Sequence, residues 1–246
     1  MFPESSLSAP IGQPFIILPI VDSTNNYAMG LVHEGMASHG TAVFAQYQAA
    51  GKGQRGKQWD SEEGMNLILS IILQTPPSAK PFQLSALIAL ACRDLVLREV
   101  KSEVSVKWPN DIYWRDRKAA GILIENKFQG PEWKWCIAGI GMNLNQVSFD
   151  PSLKNPVSLK QVTGRDFDCL QMARDLCEMI SFRYQKFDPA ILLSEYNECL
   201  YKKNEMVTLQ HDGQTLQTII RGVNEKGELL TSDITERAFD QAVWLG

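Results

Sequence analysis

Three stretches of the 246-residue chain combine residue types and spacing that could do chemistry. The first is the nonapeptide GKGQRGKQW at 51–59. Its glycines let the main chain approach a ligand closely and present N–H groups to it. Lys52, Arg55 and Lys57 add three positive charges with no acid among them. Such a loop suits an anion, a phosphate chain above all. Two better-known patterns overlap it and fail. Gly51, Gly53 and Gly56 satisfy G-x-G-x-x-G, but that fingerprint needs a helix at once and an acid about 20 positions on. Here Gln58–Trp59–Asp60–Ser61 follows, and then a strand ending in Thr75–Pro76–Pro77. Gly51, Gly56 and Lys57 approach a P-loop, but that motif needs Ser or Thr next, and the residue is Gln58.

The second stretch, SVKWPND at 105–111, is an apolar strand closing on a Pro-Asn-Asp turn, which sets Lys107 and Asp111 at a strand end. Polar groups so placed tend to line a pocket. The third comprises KAAGILIE at 118–125, with Lys118 at the entry of a small-residue strand, and GIGMNLN at 139–145, a strand closing on two glycines and an Asn. Taken singly, each is equally well explained as a turn or a tightly packed strand.

The elements that must hold these segments follow from periodicity and caps. Residues 15–21, 41–47 and 66–74 are apolar runs of strand length. Asp22, Ser23 and Thr24 supply cap-type side chains ahead of a helix to about Val32. Residues 48–65 form a polar, glycine-rich loop, of a length usually functional or mobile. Leu84, Leu87, Ile88, Ala91 and Leu95 fall at helical spacing, so 82–100 is a core helix. Short strands at 103–108 and 111–114, a turn at Arg115–Asp116–Arg117, and a hairpin of 119–128 with 133–142 come next. Helices are expected over 168–187 and 189–201. From Met206 the pattern turns to short strands, 206–210, 216–223, 227–232 and 236–243. The expected fold is a mixed α/β (α+β) body at 1–202 with a small β domain at 203–246.

Composition narrows the class further. Hydrophobic residues are 44% and charged residues 21%, which is globular rather than disordered. The net charge of -4 lacks the basic excess of a nucleic-acid binder. The N-terminal residues have no basic n-region, and the longest apolar stretch, Leu84 to Cys92, is too short to span a bilayer. Five scattered cysteines without a C-x-x-C pair, and only three histidines, argue for reduced thiols in a cytoplasmic protein and against structural zinc.

Together the strings DSTN (22–25), QYQAAGKGQRGKQW (46–59), KWPNDIY (107–113), KAAGILIE (118–125), GIGMNLN (139–145) and RGVNEKGELL (221–230) closely resemble the biotin protein ligases. The resemblance covers roughly 15–246. It implies a catalytic domain like that of class II aminoacyl-tRNA synthetases, followed by an SH3-like barrel. It implies that biotin and ATP, with Mg2+, form biotinyl-5′-adenylate and pyrophosphate, and that the biotinyl group then passes to one lysine of a biotin carboxyl carrier protein. Carried over by position, biotin contacts fall on Ser23, Thr24, Asn25, Gln48, Lys52, Gly53, Gln54 and Lys118. Nucleotide contacts fall on Gly51, Arg55, Gly56, Lys57, Trp59, Asn110 and Asn143. No protein side chain is assigned to the metal, which travels with ATP. Too few residues precede DSTN for a DNA-binding module, so a monofunctional ligase is expected, with no nucleic-acid or membrane partner; a homodimer is common among such proteins. The loop departs from the family's GRGRxGRxW, its arginines standing here as Lys52, Gln54 and Lys57. Lysine lacks the bidentate fork of arginine, and Arg55 is the one guanidinium left.

The chemistry accounts for these residue types. A buried ureido head needs donors and acceptors, which Ser, Thr, Asn and Gln provide. Bringing a carboxylate to a triphosphate costs about 4 kcal/mol per pair of like charges at about 4 Å and an effective dielectric near 20. Lys118, helped by Lys52, reverses that sign. In the second step Asp111 orients the acceptor amine or takes its proton. Two other readings remain at this stage: a lipoate ligase or octanoyltransferase of the same superfamily, for which Cys136 is the nearest candidate nucleophile, and a catalytically silent biotin-binding module.

Overall fold

The computed structural model describes residues 10–76, 79–211, 213–232 and 242–244. Seven segments pair into one sheet: β1 (Phe15–Val21), β2 (Ala42–Gln48), β3 (Leu67–Gln74), β4 (Val104–Lys107), β5 (Asp111–Trp114), β6 (Arg117–Gln129) and β7 (Glu132–Met142). Their order is β1-β2-β3-β7-β6-β5-β4. β1 and β2 run parallel, and every other neighbouring pair is antiparallel.

The centre of the sheet is covered on both faces, which is why β3 is aliphatic almost throughout. Leu67, Leu69, Ile71 and Leu73 enter the main core with α2 (Pro81–Val100) and α4 (Cys169–Gln185). Ile72 points the other way, toward Ala28 of α1 (Thr24–His33), beside Val43 and Ile137. This period of two divides each strand between a core face and an α1 face. α2 starts at Pro81, with a capping box between Lys80 and Gln83, and ends where Lys101 turns left-handed at φ 51°. Arg183 of α4 bonds Asp94 of α2 at 2.5 Å and Glu195 of α5 (Pro189–Glu198) at 2.6 Å, tying the three helices together.

Outside the 48–65 loop, the described elements follow the sequence expectations closely, with three differences. A five-residue helix, α3 (Leu159–Thr163), was not expected; Ser158 caps it and Gly164 ends it. The last helix of the body stops at Glu198 rather than 201, because Val106 of β4 donates to the Cys199 carbonyl and accepts from the Tyr201 amide. Ser23 occupies the N-cap of α1 but its hydroxyl makes no capping bond.

A second sheet has four antiparallel strands: β8 (Met206–His211), β9 (Gln214–Val223), β10 (Leu229–Thr231) and β11 (Ala242–Trp244), in the order β10-β9-β8-β11. The strand expected at 236–243 lies mostly outside the described residues. Val207, Leu209, Ile220, Val223 and Leu229 join the same buried cluster as α2, so this sheet packs on the body. Among the described residues no helix is long and apolar enough to cross a membrane.

Candidate functional site

A cavity of about 910 Å³ opens on the α1 face of the large sheet. Its floor is one row of register partners crossing five strands: Ile68, Gly141, Gly121, Asp111 and Lys107. Beside it lies a shorter row, Ser70, Gly139 and Leu123. The two glycines of GIGMN and the one of KAAGIL thus make the floor concave, and neighbours fill the space that side chains would take. A Cβ on Gly139 would stand 2.3 Å from Asn25 Oδ1; one on Gly141 would stand 2.2 Å from Cε2 of Trp59.

At the α1 end a polar cluster is assembled inside apolar walls. Ser70 Oγ lies 2.7 Å from Thr24 Oγ1 and 2.6 Å from Asn25 Oδ1. Gln48 Oε1 accepts from the Thr24 amide at 2.7 Å and from its hydroxyl at 3.0 Å, and so caps the helix in place of Ser23. Asn25 Nδ2 donates to Glu125 Oε2 at 2.7 Å. Ser23, Thr24, Asn25 and Ser70 are all buried. Polar groups in such a place stay because they are bonded to one another.

At the far end stands Lys118, whose Nζ is 2.7 Å from Asp111 Oδ1 and 5.7 Å from the Trp59 ring centroid. Its direction depends on a bulge. Between β5 and β6 the register shifts, so Asp111 pairs with Gly121 and Ile112 with Ala120, yet Tyr113 pairs with Lys118. The extra residue, Ala119, turns Lys118 onto the cavity face; strict alternation would place it on the core face with Ala120. Two amides fasten this corner. Asn110 Nδ2 donates to the Ile122 carbonyl at 2.5 Å, and Asn143 Nδ2 to the Val157 carbonyl at 3.2 Å and the Lys118 carbonyl at 3.4 Å.

The basic loop is a short hairpin laid over the cavity rather than an irregular excursion. Lys52 and Gln58 form an antiparallel bridge, Gly53 N bonds the Lys57 carbonyl at 2.7 Å, and Trp59 N bonds the Gly51 carbonyl at 3.0 Å. Arg55 and Gly56 turn its tip at φ 56° and 73°. Lys52 Nζ reaches Asn26 Oδ1 at 2.5 Å. Asn26 in turn donates to Asp22, and that bond holds the Asp22 carboxyl below its ordinary range. The Trp59 ring lies on Gly121 and Gly141, and its Nε1 is buried without a hydrogen-bond partner among the described residues.

Lys52, Gly53, Gln54, Arg55, Lys57, Trp59, Asn110, Asp111, Lys118 and Asn143 all line this cavity, as do Ser23, Thr24, Asn25 and Gln48. Gly51 and Gly56 do not line it; they shape the loop. A Cβ on Gly51 would stand 2.3 Å from the Trp59 carbonyl, while Gly56 has open space around it. Ser70, the one hydroxyl of β3, does not line the cavity but holds Thr24 and Asn25 from behind; sequence reasoning missed this support, whose signal was a lone Ser in an aliphatic run. It also missed the cluster of Tyr113, Tyr201 and Trp244 around Lys107. Among the described residues no group of three or more His, Cys, Asp or Glu could hold a metal. No thiol among them is poised for attack. Burial pushes Cys136 and Cys177 up to about 12, and Cys169 and Cys199 to about 11, and Cys92 rises further.

A polar cluster, the Lys118–Asp111 pair and a basic hairpin thus meet in one cavity, and the relatives of this chain are ligases. Residues 17–143, more than half of the chain, match the biotin/lipoate A/B protein ligase family, and the chain belongs to it. It is 31% identical over 226 residues to the bifunctional ligase/repressor BirA of Escherichia coli, covering 89% of this chain and 69% of that one. It is 34% identical to the biotin–[acetyl-CoA-carboxylase] ligase of Paracoccus denitrificans over 160 residues, 62% of this chain and 65% of that one. Its fold superposes on the biotin protein ligase of Aquifex aeolicus in complex with biotin and ATP, with a TM-score of 0.79 and 27% identity over 93% of this chain and 97% of that one.

Proposed function

We propose that the chain is a biotin–protein ligase: it activates biotin with ATP to biotinyl-5′-adenylate, releasing pyrophosphate, and transfers the biotinyl group to a lysine of a biotin carboxyl carrier protein. One observation carries the reading. A single cavity holds a buried hydroxyl–amide cluster at one end and the Lys118–Asp111 pair under a cationic hairpin at the other.

The cluster of Ser23, Thr24, Asn25 and Gln48, held from behind by Ser70, offers donors and acceptors for a ureido head, and the glycine rows leave room for the acyl chain. Lys118 neutralises the carboxylate, with Lys52 beside it. Arg55 and Lys57 face the phosphates, Gly53 and Gln54 present the hairpin's main chain, and Trp59 gives the nucleotide a flat apolar contact. Asn110 and Asn143 act on the nucleotide side by holding the Asp111 turn and the Lys118 strand. In the first step a carboxylate oxygen attacks the α-phosphorus and the bond to pyrophosphate breaks. No enzyme nucleophile is needed; catalysis is positioning and charge stabilisation. In the second step the acceptor amine attacks the carbonyl carbon of the anhydride, AMP leaves, and Asp111 takes the amine's proton. Since no cluster of three or more His, Cys, Asp or Glu among the described residues could hold a metal, Mg2+ would enter with the triphosphate and would neutralise phosphate charge there.

The same reading extends to architecture and setting. The body at 1–202 is a class II synthetase-like domain, the second sheet belongs to an SH3-like domain at 203–246, and the protein works in the cytoplasm on a carboxylase carrier, without nucleic acid, as a monomer or homodimer.

The test combines the purified chain with biotin, ATP, Mg2+ and a carrier domain, followed by mass spectrometry. One biotinyl group on a single lysine is expected, with pyrophosphate release dependent on biotin. Release driven by lipoate instead would replace this reading with a lipoate ligase. Binding of biotin with no AMP formed would make the chain a silent binding module.

A further inference from the structure

Lys107 ends the floor row of the cavity, yet it faces aromatic rings rather than the hairpin. Its Nζ stands 4.7 Å from the Tyr113 ring centroid, 5.1 Å from that of Trp244 and 5.5 Å from that of Tyr201. The Tyr113 hydroxyl lies 3.3 Å from the same nitrogen. Tyr113 comes from β5, Tyr201 from the segment after α5, and Trp244 from β11 of the second sheet. The rings also meet each other, at 5.0 Å for Tyr113–Tyr201 and 5.8 Å for Tyr201–Trp244. The box therefore closes only when the second sheet is seated. The second sheet and its β9–β10 turn grip the adjoining residue Trp108 by both its main chain and its side chain. Trp244 Nε1 donates to the Trp108 carbonyl at 2.9 Å, and Trp108 Nε1 donates to the Gly227 carbonyl at 2.9 Å. Trp108 connects Lys107 to Pro109–Asn110–Asp111.

We propose that Trp244 is a positioning residue of the reaction, closing the aromatic box on the Lys107 ammonium and clamping the Trp108 carbonyl so that the turn bearing Asp111 stays set. The proposal rests on the ligase reading above. A ring over an ammonium attracts it electrostatically while excluding water. Burial brings Lys107 down to about 8, Asp111 opposes that shift, and Lys202, Lys118 and Lys154 add to it. Tyr113 and Tyr201, themselves raised by burial, face the same nitrogen in neutral form. Burial thus lowers Lys107 toward neutral pH, and Trp244 is the wall that the second sheet contributes.

The experiment compares the full chain with Trp244→Leu and Trp244→Phe. Lysine side-chain NMR of the ligand-free protein, assigned with Lys107→Arg, reports the Lys107 titration. Biotinyl-adenylate formation is followed across pH in parallel. Trp244→Leu is expected to move the Lys107 titration upward from about 8, and the alkaline limb of kcat with it. Trp244→Phe keeps a ring but loses the indole N–H; its limb stays in place while kcat falls about three- to tenfold, the worth of one hydrogen bond. A limb unmoved in Trp244→Leu overturns the positioning role even if the titration shifts, and an unshifted titration overturns the box. If the wild-type chain made no biotinyl-adenylate, the ligase reading and the positioning role would fall together, while the NMR titration would still decide the box.

Discussion

Replacing Gly139 by Ala adds one methyl group where the site is tightest. The new carbon would stand 2.3 Å from Asn25 Oδ1, 2.8 Å from Cγ and 3.0 Å from Nδ2, so the amide must leave its place. It then gives up the bond from Ser70 at 2.6 Å, the bond to the Glu125 carboxylate at 2.7 Å, and a long contact to the Leu123 carbonyl at 3.4 Å. A neutral bond is worth about 1 kcal/mol net and one to a charged group about 1.5–3 kcal/mol. The loss is therefore about 3 kcal/mol, spread between stability and ligand binding. As stability it corresponds to a Tm lower by about 6–12 °C for a chain of this size. As biotin affinity it corresponds to about 150-fold in Kd. Gly30→Ala is the control. That residue lies within α1, where an added methyl would meet nothing within 4 Å, so the same substitution is expected to stabilise by about 0.5–1 kcal/mol through helix propensity. Differential scanning calorimetry and biotin titration calorimetry on the three proteins decide it. A Gly139→Ala chain that melts and binds biotin like wild type would refute the idea that the glycine floor admits Asn25.

Three more expectations can be checked in solution. Lys118→Met should slow biotin-dependent pyrophosphate release about a thousandfold, the equivalent of about 4 kcal/mol of charge compensation, whereas Asp111→Asn should slow single-turnover transfer more than adenylation; collapse of adenylation alone in Asp111→Asn would remove Asp111 from the second step. His39 is buried, its Nδ1 accepts from the Gln74 amide at 3.1 Å, and burial holds its pKa below 6.5. The unfolded chain therefore binds the extra proton first, so the stability from neutral His39 is present above pH 6.5 and lost as the pH falls through that value toward the folded pKa. Urea melts at successive pH values should show a shallower acid slope in His39→Gln, and an unchanged slope would count against it. Arg183→Met breaks the link between Asp94 and Glu195 in a half-buried setting, between the small effect of an exposed pair and the about 3–5 kcal/mol of a fully buried one. A loss of about 2 kcal/mol at constant m is expected, and a midpoint equal to wild type would show that the three helices hold without it.

Most of the architecture was legible in the residue order, because strand and helix periods and cap residues act locally. FIILPIV, LILSIILQ and the Leu84–Leu95 spacing could each form one kind of element, and the ranges found are close to those expected. The cationic loop, Lys118 and the KWPND turn were visible as residue types in order. What the chain order could not show was which face each residue occupies. Lys118 reaches the cavity because a single bulge at Ala119 shifts the β5–β6 register, and a register is a property of two strands rather than one. Ser70 holds Thr24 and Asn25 only because β3 pairs with β7 so that it sits beside Gly139. The box around Lys107 gathers residues 113, 201 and 244, whose meeting depends on how the second sheet packs. Local propensity decides element type because it needs only neighbouring residues. Long-range pairing and burial decide the site, because cavity, register and desolvation exist only once distant segments have closed on one another.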